Sequence, residues 1–242
     1  MAFKKQKMAR EESIIIGNPS FISAEESINR LKDNLLYAAV DGKIKILQFE
    51  SSLAGEAKTT TCINLAVSLG KTGKKTLIID FDFRKPRVHR AFQLENANGI
   101  SDYMIGSITK EVLVKPTEFE NVSIITRGTK VENSAAILMS DKLQNLMKEL
   151  RDEYDFILLD CPPVLIISDY INISRISDGV IFNVAYAATK RNQVKEAIGL
   201  LRQNNIPIIG AVFTFFDSKK ANNYGEYNSY YYYYSSNYGD RK

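Results

Sequence analysis

The stretch KIKILQFESSLAGEAKTTT, residues 43–61, decides how the chain is read. Residues 43–49 alternate as a strand does, Glu50 to Ala57 form a short polar loop, and helical spacing begins at Lys58 and runs to about Lys71. Between them, Ser52-Leu53-Ala54-Gly55-Glu56-Ala57-Lys58-Thr59 approximates the phosphate-loop pattern G-x-x-x-x-G-K-[ST], with Ser52 and Ala57 where glycines are usual. A loop entering a helix turns backbone N–H groups toward an anion. Lys58 is then placed to reach the β and γ phosphates of ATP, and Thr59 to hold Mg²⁺. The bland alternative is a polar loop in which Gly-Glu and Lys-Thr meet by chance.

Outward from this stretch, strand and helix keep alternating. Residues 75–79 form a second apolar strand ending at Asp80, and further strands are expected over 122–126, 156–159, 179–184 and 206–213. Helical periodicity fills the intervals, most clearly over 141–151 and 191–203. Upstream, Ser23 with Glu26 predicts a capping box, and Ile28, Leu31, Leu35 and Leu36 follow at helical spacing. Apolar strands alternating with amphipathic helices imply an α/β fold of the P-loop NTPase type, a mostly parallel sheet with helices on both faces. Ligands in such sheets sit at the carboxyl ends of the strands.

Acidic residues fall at those ends. Asp80 and Asp82 follow the second strand, and Asp160 closes the strand 156–159 ahead of Cys161-Pro162-Pro163. Taken singly, Asp80 and Asp82 read equally well as caps ahead of Arg84-Lys85-Pro86. Together, these carboxylates and the Lys58-Thr59 loop on one sheet edge form a nucleotide–Mg²⁺ site. His89, the single histidine, reads as a surface or packing residue. Arg84, Lys85, Arg87 and Arg90 form a basic face that is either solvated or turned to phosphate or an acidic partner.

Composition narrows the classes. A net charge of +4 over 242 residues gives no case for nucleic acid. The two cysteines, Cys62 and Cys161, lack ligand spacing to His89, so disulfide and zinc readings fail and a reducing cytoplasm is expected. No apolar run reaches the roughly 18 residues that span a bilayer, and the basic start lacks the apolar core of a signal peptide. Residues 1–22 are expected as a flexible arm and 23–217 as the nucleotide-binding domain. The tail 218–242 gathers Tyr224, Tyr227, Tyr230, Tyr231, Tyr232, Tyr233, Tyr234 and Tyr238 among Asn, Ser and Gly, and is expected to be disordered when unmodified.

The blocks S-x-x-x-G-E-x-K-T-T, L-I-I-D-x-D-x-R-K-P and F-I-L-L-D-x-P-P, with the tyrosine tail, resemble the bacterial tyrosine kinases of capsule and exopolysaccharide synthesis. The resemblance runs from about Ser23 to the C-terminus. It implies that Ser52, Gly55, Glu56, Ala57, Lys58, Thr59 and Thr60 cradle ATP, and that Thr59, Asp82 and Asp160 hold Mg²⁺. Asp80 is implied as the base for a tyrosine hydroxyl, with Asp82 able to exchange roles with it, and Lys58 as the catalytic cation. Asp169 also matches a family position near the site. The tail tyrosines are the implied phosphoacceptors.

The resemblance further implies a membrane adaptor that completes the site, homo-oligomers, a cognate tyrosine phosphatase, and a cytoplasmic location at the inner membrane face. Partition and division-site ATPases share the fold but carry an early second lysine where this chain has Leu53. Four departures stand out: Ala57 before Lys58; Glu26, Asn29 and Lys32 in place of the subunit-contact pattern E-x-x-R-x-x-R; Thr214-Phe215 where an asparagine is common near the base; and Asn133-Ser134-Ala135-Ala136 for Asn-Pro-x-Glu, expected to be structural. They leave two alternatives: a nucleotide-binding regulator phosphorylated in trans, and a partition-like ATPase.

Overall fold

Every residue of the three central strands is buried, so both faces of the sheet need cover. The computed structural model describes residues 14–216; residues 1–13 and 217–242, with the eight tyrosines of the tail, lie outside the described residues. Among the described residues, seven strands form one sheet: β1 (Ile46–Ser51), β2 (Thr76–Asp80), β3 (Lys115–Pro116), β4 (Val122–Ile125), β5 (Phe156–Asp160), β6 (Gly179–Ala185) and β7 (Ile208–Thr214), in the order β3-β4-β2-β5-β1-β6-β7. All neighbours are parallel except β3 against β4. The P-loop NTPase-like α/β class expected from the sequence is the observed one. The two-residue β3, too short to show a period, went unpredicted.

Four long helices complete the layers: α1 (Ile22–Ala38), α2 (Lys58–Lys71), α3 (Asp141–Glu153) and α4 (Arg191–Gln203). Alternate strand residues feed opposite faces. Leu77, Ile79, Ile157 and Leu159 pack with Leu143, Leu146, Met147 and Leu150 of α3, whereas Ile78, Leu158, Leu47 and Phe49 pack with Ile63, Leu65 and Leu69 of α2. Beyond β1, Val180 and Phe182 of β6 meet Ala197 and Leu201 of α4. The parallel register sets Asp80 directly beside Asp160, and Phe49 beside Asp160, which brings the carboxyl ends of β1, β2 and β5 to one rim.

The N-terminal expectations need two corrections. The arm does not run through residue 22: Ile14 and Ile16 are buried, and Asn64 Oδ1 on α2 accepts from Ile15 N at 2.7 Å and Ile16 N at 3.3 Å. A single 3₁₀ turn, Pro19–Phe21, capped by Asn18, then leads into α1. Ser23 does not cap α1, because Phe21 occupies the N-cap position without a side-chain bond and Ser23 lies inside the first turn. Helix α2 is sandwiched between the sheet and α1, where Ser68 Oγ donates to Asn29 Oδ1 at 2.7 Å.

Candidate nucleotide site

The loop between β1 and α2 turns on two left-handed residues, Gly55 at φ 86° and Ala57 at φ 59°. Gly55 adopts this conformation without strain; Ala57 carries a Cβ in it. Ala57 is the N-cap of α2, and its carbonyl accepts from both Thr61 N and Thr61 Oγ1 at 2.9 Å. The first turn of α2 leaves backbone N–H groups without intrahelical acceptors, beside the rim. Lys58, the first residue of α2, is 8% exposed. Thr60 has its carbonyl bonded by Asn64 Nδ2 at 2.8 Å, and Ser52 is buried with its Oγ lacking a hydrogen-bond partner.

Glu56 turns inward, 3% exposed. Its Oε2 accepts from Ser52 N at 3.0 Å and its Oε1 from Thr189 Oγ1 at 2.5 Å. Thr214, at the end of β7, donates to the Glu56 carbonyl at 3.2 Å. Leu165 N and Val164 N, from the chain after β5, donate to the carbonyls of Ser52 and Ser51 at 3.2 and 2.9 Å.

The acids converge as the register requires. Thr59 Oγ1 donates to Asp160 Oδ2 at 2.7 Å, while Asp160 Oδ1 is buried without a partner. Burial raises the Asp160 carboxyl to about 6, against the pull of Lys58 and the Thr59 hydroxyl. Asp80 is fully buried: its Oδ1 accepts from Asp82 N at 3.1 Å, and its Oδ2 from Arg87 N and Val88 N at 3.0 and 3.1 Å. Burial, and then Asp160 alongside, push its carboxyl well above the usual carboxylate range. Asp82 is half-exposed and accepts from Arg84 N and Lys85 N at 3.1 and 2.8 Å through Oδ1. Asp80 and Asp82 thus organise the 80–88 loop, and Asp80 stands in register with Asp160 at the rim.

Two more acids complete the rim. Asp169, the first residue of the short helix Asp169–Ile173, accepts from Ser134 Oγ at 3.1 Å; burial raises it, with Arg84 drawing it down and Asp82 adding to the rise. The Asn133–Ala136 stretch is structural as expected: Asn133 caps its helix by accepting from Ala136 N at 3.1 Å. Glu50 went unsuspected. In sequence it reads as a loop residue, yet it belongs to β1, is 0% exposed, and has Oε2 without a partner. Burial lifts its carboxyl well above the usual range, opposed chiefly by Lys58. The only local hint was the alternation of residues 43–49, which continues through Glu50 in register with Gln48. His89 is half-buried beside Arg90 and Arg127, and burial, with those cations, lowers its proton affinity.

The rim fits a magnesium ion. It offers an orphaned buried carboxylate oxygen on Asp160, a hydroxyl on Thr59 already oriented by that carboxylate, and a half-exposed acid at Asp82. No cluster of three or more His, Cys, Asp or Glu side chains placed to hold a metal ion occurs among the described residues.

Comparison with known proteins gives a concordant picture. The AAA domain family model matches residues 44–207. The chain is 30% identical over 232 residues to tyrosine-protein kinase YwqD of Bacillus subtilis (strain 168), covering 95% of this chain and 96% of that protein. It is 30% identical over 233 residues to the putative tyrosine-protein kinase CapB of Staphylococcus aureus, covering 94% and 99%. The solved chimerical protein CapA2B2 superimposes with TM-score 0.79 at 28% identity, over 84% of this chain and 89% of that one. The septum site-determining protein MinD of Pyrococcus horikoshii superimposes with TM-score 0.60 at 25% identity, over 70% of each chain.

Proposed function

This chain belongs to the AAA-domain bacterial tyrosine kinases of capsule and exopolysaccharide synthesis, and from that premise we propose that it transfers the γ-phosphoryl group of ATP to tyrosines of its own tail. The observation that carries this reading is the single rim where Lys58, the Thr59–Asp160 pair and Asp80, in register with Asp160, meet at the carboxyl ends of three strands.

The roles divide by environment. The phosphate loop from Ser52 to Thr60 cradles the triphosphate, and the Lys58 ammonium neutralises charge on the β and γ phosphates. Thr59, Asp82 and Asp160 would hold Mg²⁺, which when bound neutralises phosphate charge and orients the γ group. Asp80 has the raised proton affinity a base requires, and Asp82 has the exposure a metal ligand requires. In the transfer, the tyrosine oxygen forms the new bond to the γ phosphorus, the bond to the β–γ bridging oxygen breaks, and the tyrosine proton passes to Asp80. An ordinary tyrosine has a pKa near 10, so a neighbouring carboxylate is needed at neutral pH.

The tail 218–242 supplies acceptors at high local concentration, in cis or to a second subunit. A membrane adaptor is the proposed activator, holding the kinase at the inner face of the cell membrane, with a tyrosine phosphatase resetting the tail. Among the described residues no helix is long and apolar enough to cross a membrane. Exposed Phe213, Phe215 and Phe216 at the end of edge strand β7 supply apolar surface for such a partner.

The test is incubation of the purified chain with ATP·Mg²⁺ and adaptor, followed by mass spectrometry of the tail. Labelled tyrosines that vanish in Lys58→Met support the kinase. Hydrolysis without tyrosine labelling, or labelling that needs an added kinase, overturns it.

A further inference from the structure

Residue 56 sits in the middle of the phosphate loop, where a carboxylate beside a bound triphosphate meets repulsion. Its side chain escapes by turning back: one oxygen takes the Ser52 N–H, the other the Thr189 hydroxyl after β6, and its carbonyl takes the Thr214 hydroxyl at the end of β7. One residue therefore ties the phosphate loop to the chain segments leaving two neighbouring strands. The next residue, Ala57, holds the left-handed conformation that glycine usually occupies in such loops. A residue with a Cβ leaves that conformation unless its surroundings over-determine it.

We propose that Glu56 is a positioning residue, a latch whose bonds to Ser52 and Thr189 hold Ala57 left-handed and keep the phosphate loop in its nucleotide-ready shape. The inference deepens the proposed function and rests on the nucleotide binding at this loop. The missing glycine is thus offset by a neighbour's side chain. Thr189 and Thr214 are the anchors, so contacts made to the ends of β6 and β7 reach the phosphate loop through Glu56.

Two readouts on the full chain test this. Hydrogen exchange of amides 52–60 in the nucleotide-free protein reports the loop itself, and titration with a fluorescent ADP·Mg²⁺ reports its competence. Glu56→Ala should speed loop exchange and weaken nucleotide binding by about 5- to 30-fold, the left-handed penalty read as an affinity. Glu56→Gln, whose carbonyl can accept from Ser52 N while its amide donates to the Thr189 hydroxyl, should slow loop exchange relative to Glu56→Ala. Adding Ala57→Gly to Glu56→Ala should recover most of the loss, since glycine needs no latch.

A double variant as weak and as fast-exchanging as Glu56→Ala overturns the latch, as does a Glu56→Ala protein that matches the parent in both readouts. Should Glu56→Ala fail to fold, Thr189→Val removes one anchor and the same rescue by Ala57→Gly decides. A parent chain that takes up no nucleotide sinks the functional reading alone, because loop exchange still decides the latch.

Discussion

Asp160 concentrates the electrostatics of the rim in one side chain. Its raised carboxyl, at about 6, means that the anion is disfavoured in the folded, metal-free protein. The linked stability is fully present below the unfolded pKa near 4 and is lost as pH rises through the folded value. Metal-free protein should therefore lose on the order of 2–3 kcal/mol between about pH 4 and pH 6–7 from this group, with Asp80 and Glu50 extending the decline at higher pH. Urea unfolding across pH 4–8 checks this. Asp160→Asn should flatten the lower part of the curve, and a stability that climbs over that range would contradict the charge arrangement described. Asp82→Asn should abolish tail labelling with little effect on the unfolding midpoint, because Asp82 is half-exposed and its Oδ1 acceptor survives as an amide oxygen.

Helix α2 binds the phosphate loop to the rest of the molecule. From Thr61 to Gly70 every residue is buried, which requires polar positions as well as apolar ones to be satisfied: Asn64 and Ser68 bond to the N-terminal segment and to Asn29. Near the end of the helix, a Cβ on Gly70 would lie 2.6 Å from the Glu120 carbonyl and 2.7 Å from Val122 Cγ2. Gly70→Ala gains about 1 kcal/mol of helix propensity and should nonetheless lower stability by about 1–3 kcal/mol, because backbone stands in the way. Thermal melts of the two proteins read the sign directly. The same packing redirects Asn29, aligned with an arginine of the family's subunit-contact pattern: its Oδ1 is committed to Ser68 within the subunit, and Lys32 lies beside Asp33 at 3.4 Å.

Across the whole molecule, residues 14–16 are tied into the fold. Asn64 links Ile15 and Ile16 to the carbonyl of Thr60, one residue from the Thr59–Asp160 pair. Asn64→Ala orphans two backbone N–H groups and should destabilise by about 2–3 kcal/mol, with faster proteolysis ahead of α1. At the other terminus, full phosphorylation of eight tail tyrosines adds about −12 to −16 charges to a chain of net +4. Self-repulsion of that size should loosen assemblies of the chain. Light scattering before and after phosphatase treatment measures it, and unchanged mass would reject it.

Strand, loop and helix over residues 43–71 were legible because apolar periodicity and a Lys-Thr pair at a strand–helix junction are local properties, and the alternation of later strands and helices followed in the same way. The gathering of Lys58, Asp80, Asp82 and Asp160 at one edge was legible for the same reason, since parallel strands put their carboxyl ends together. Residues whose meaning depends on distant partners were not. Glu50 looks like a loop acid until β1 carries it into the core, Ile14 and Ile16 look like an arm until Asn64 takes their N–H groups, and Glu56 looks like a phosphate-loop filler until Thr189, 133 positions away, claims it. Periodicity records which face a residue occupies, whereas burial of charge and hydrogen bonds between remote segments exist only once the chain has closed on itself.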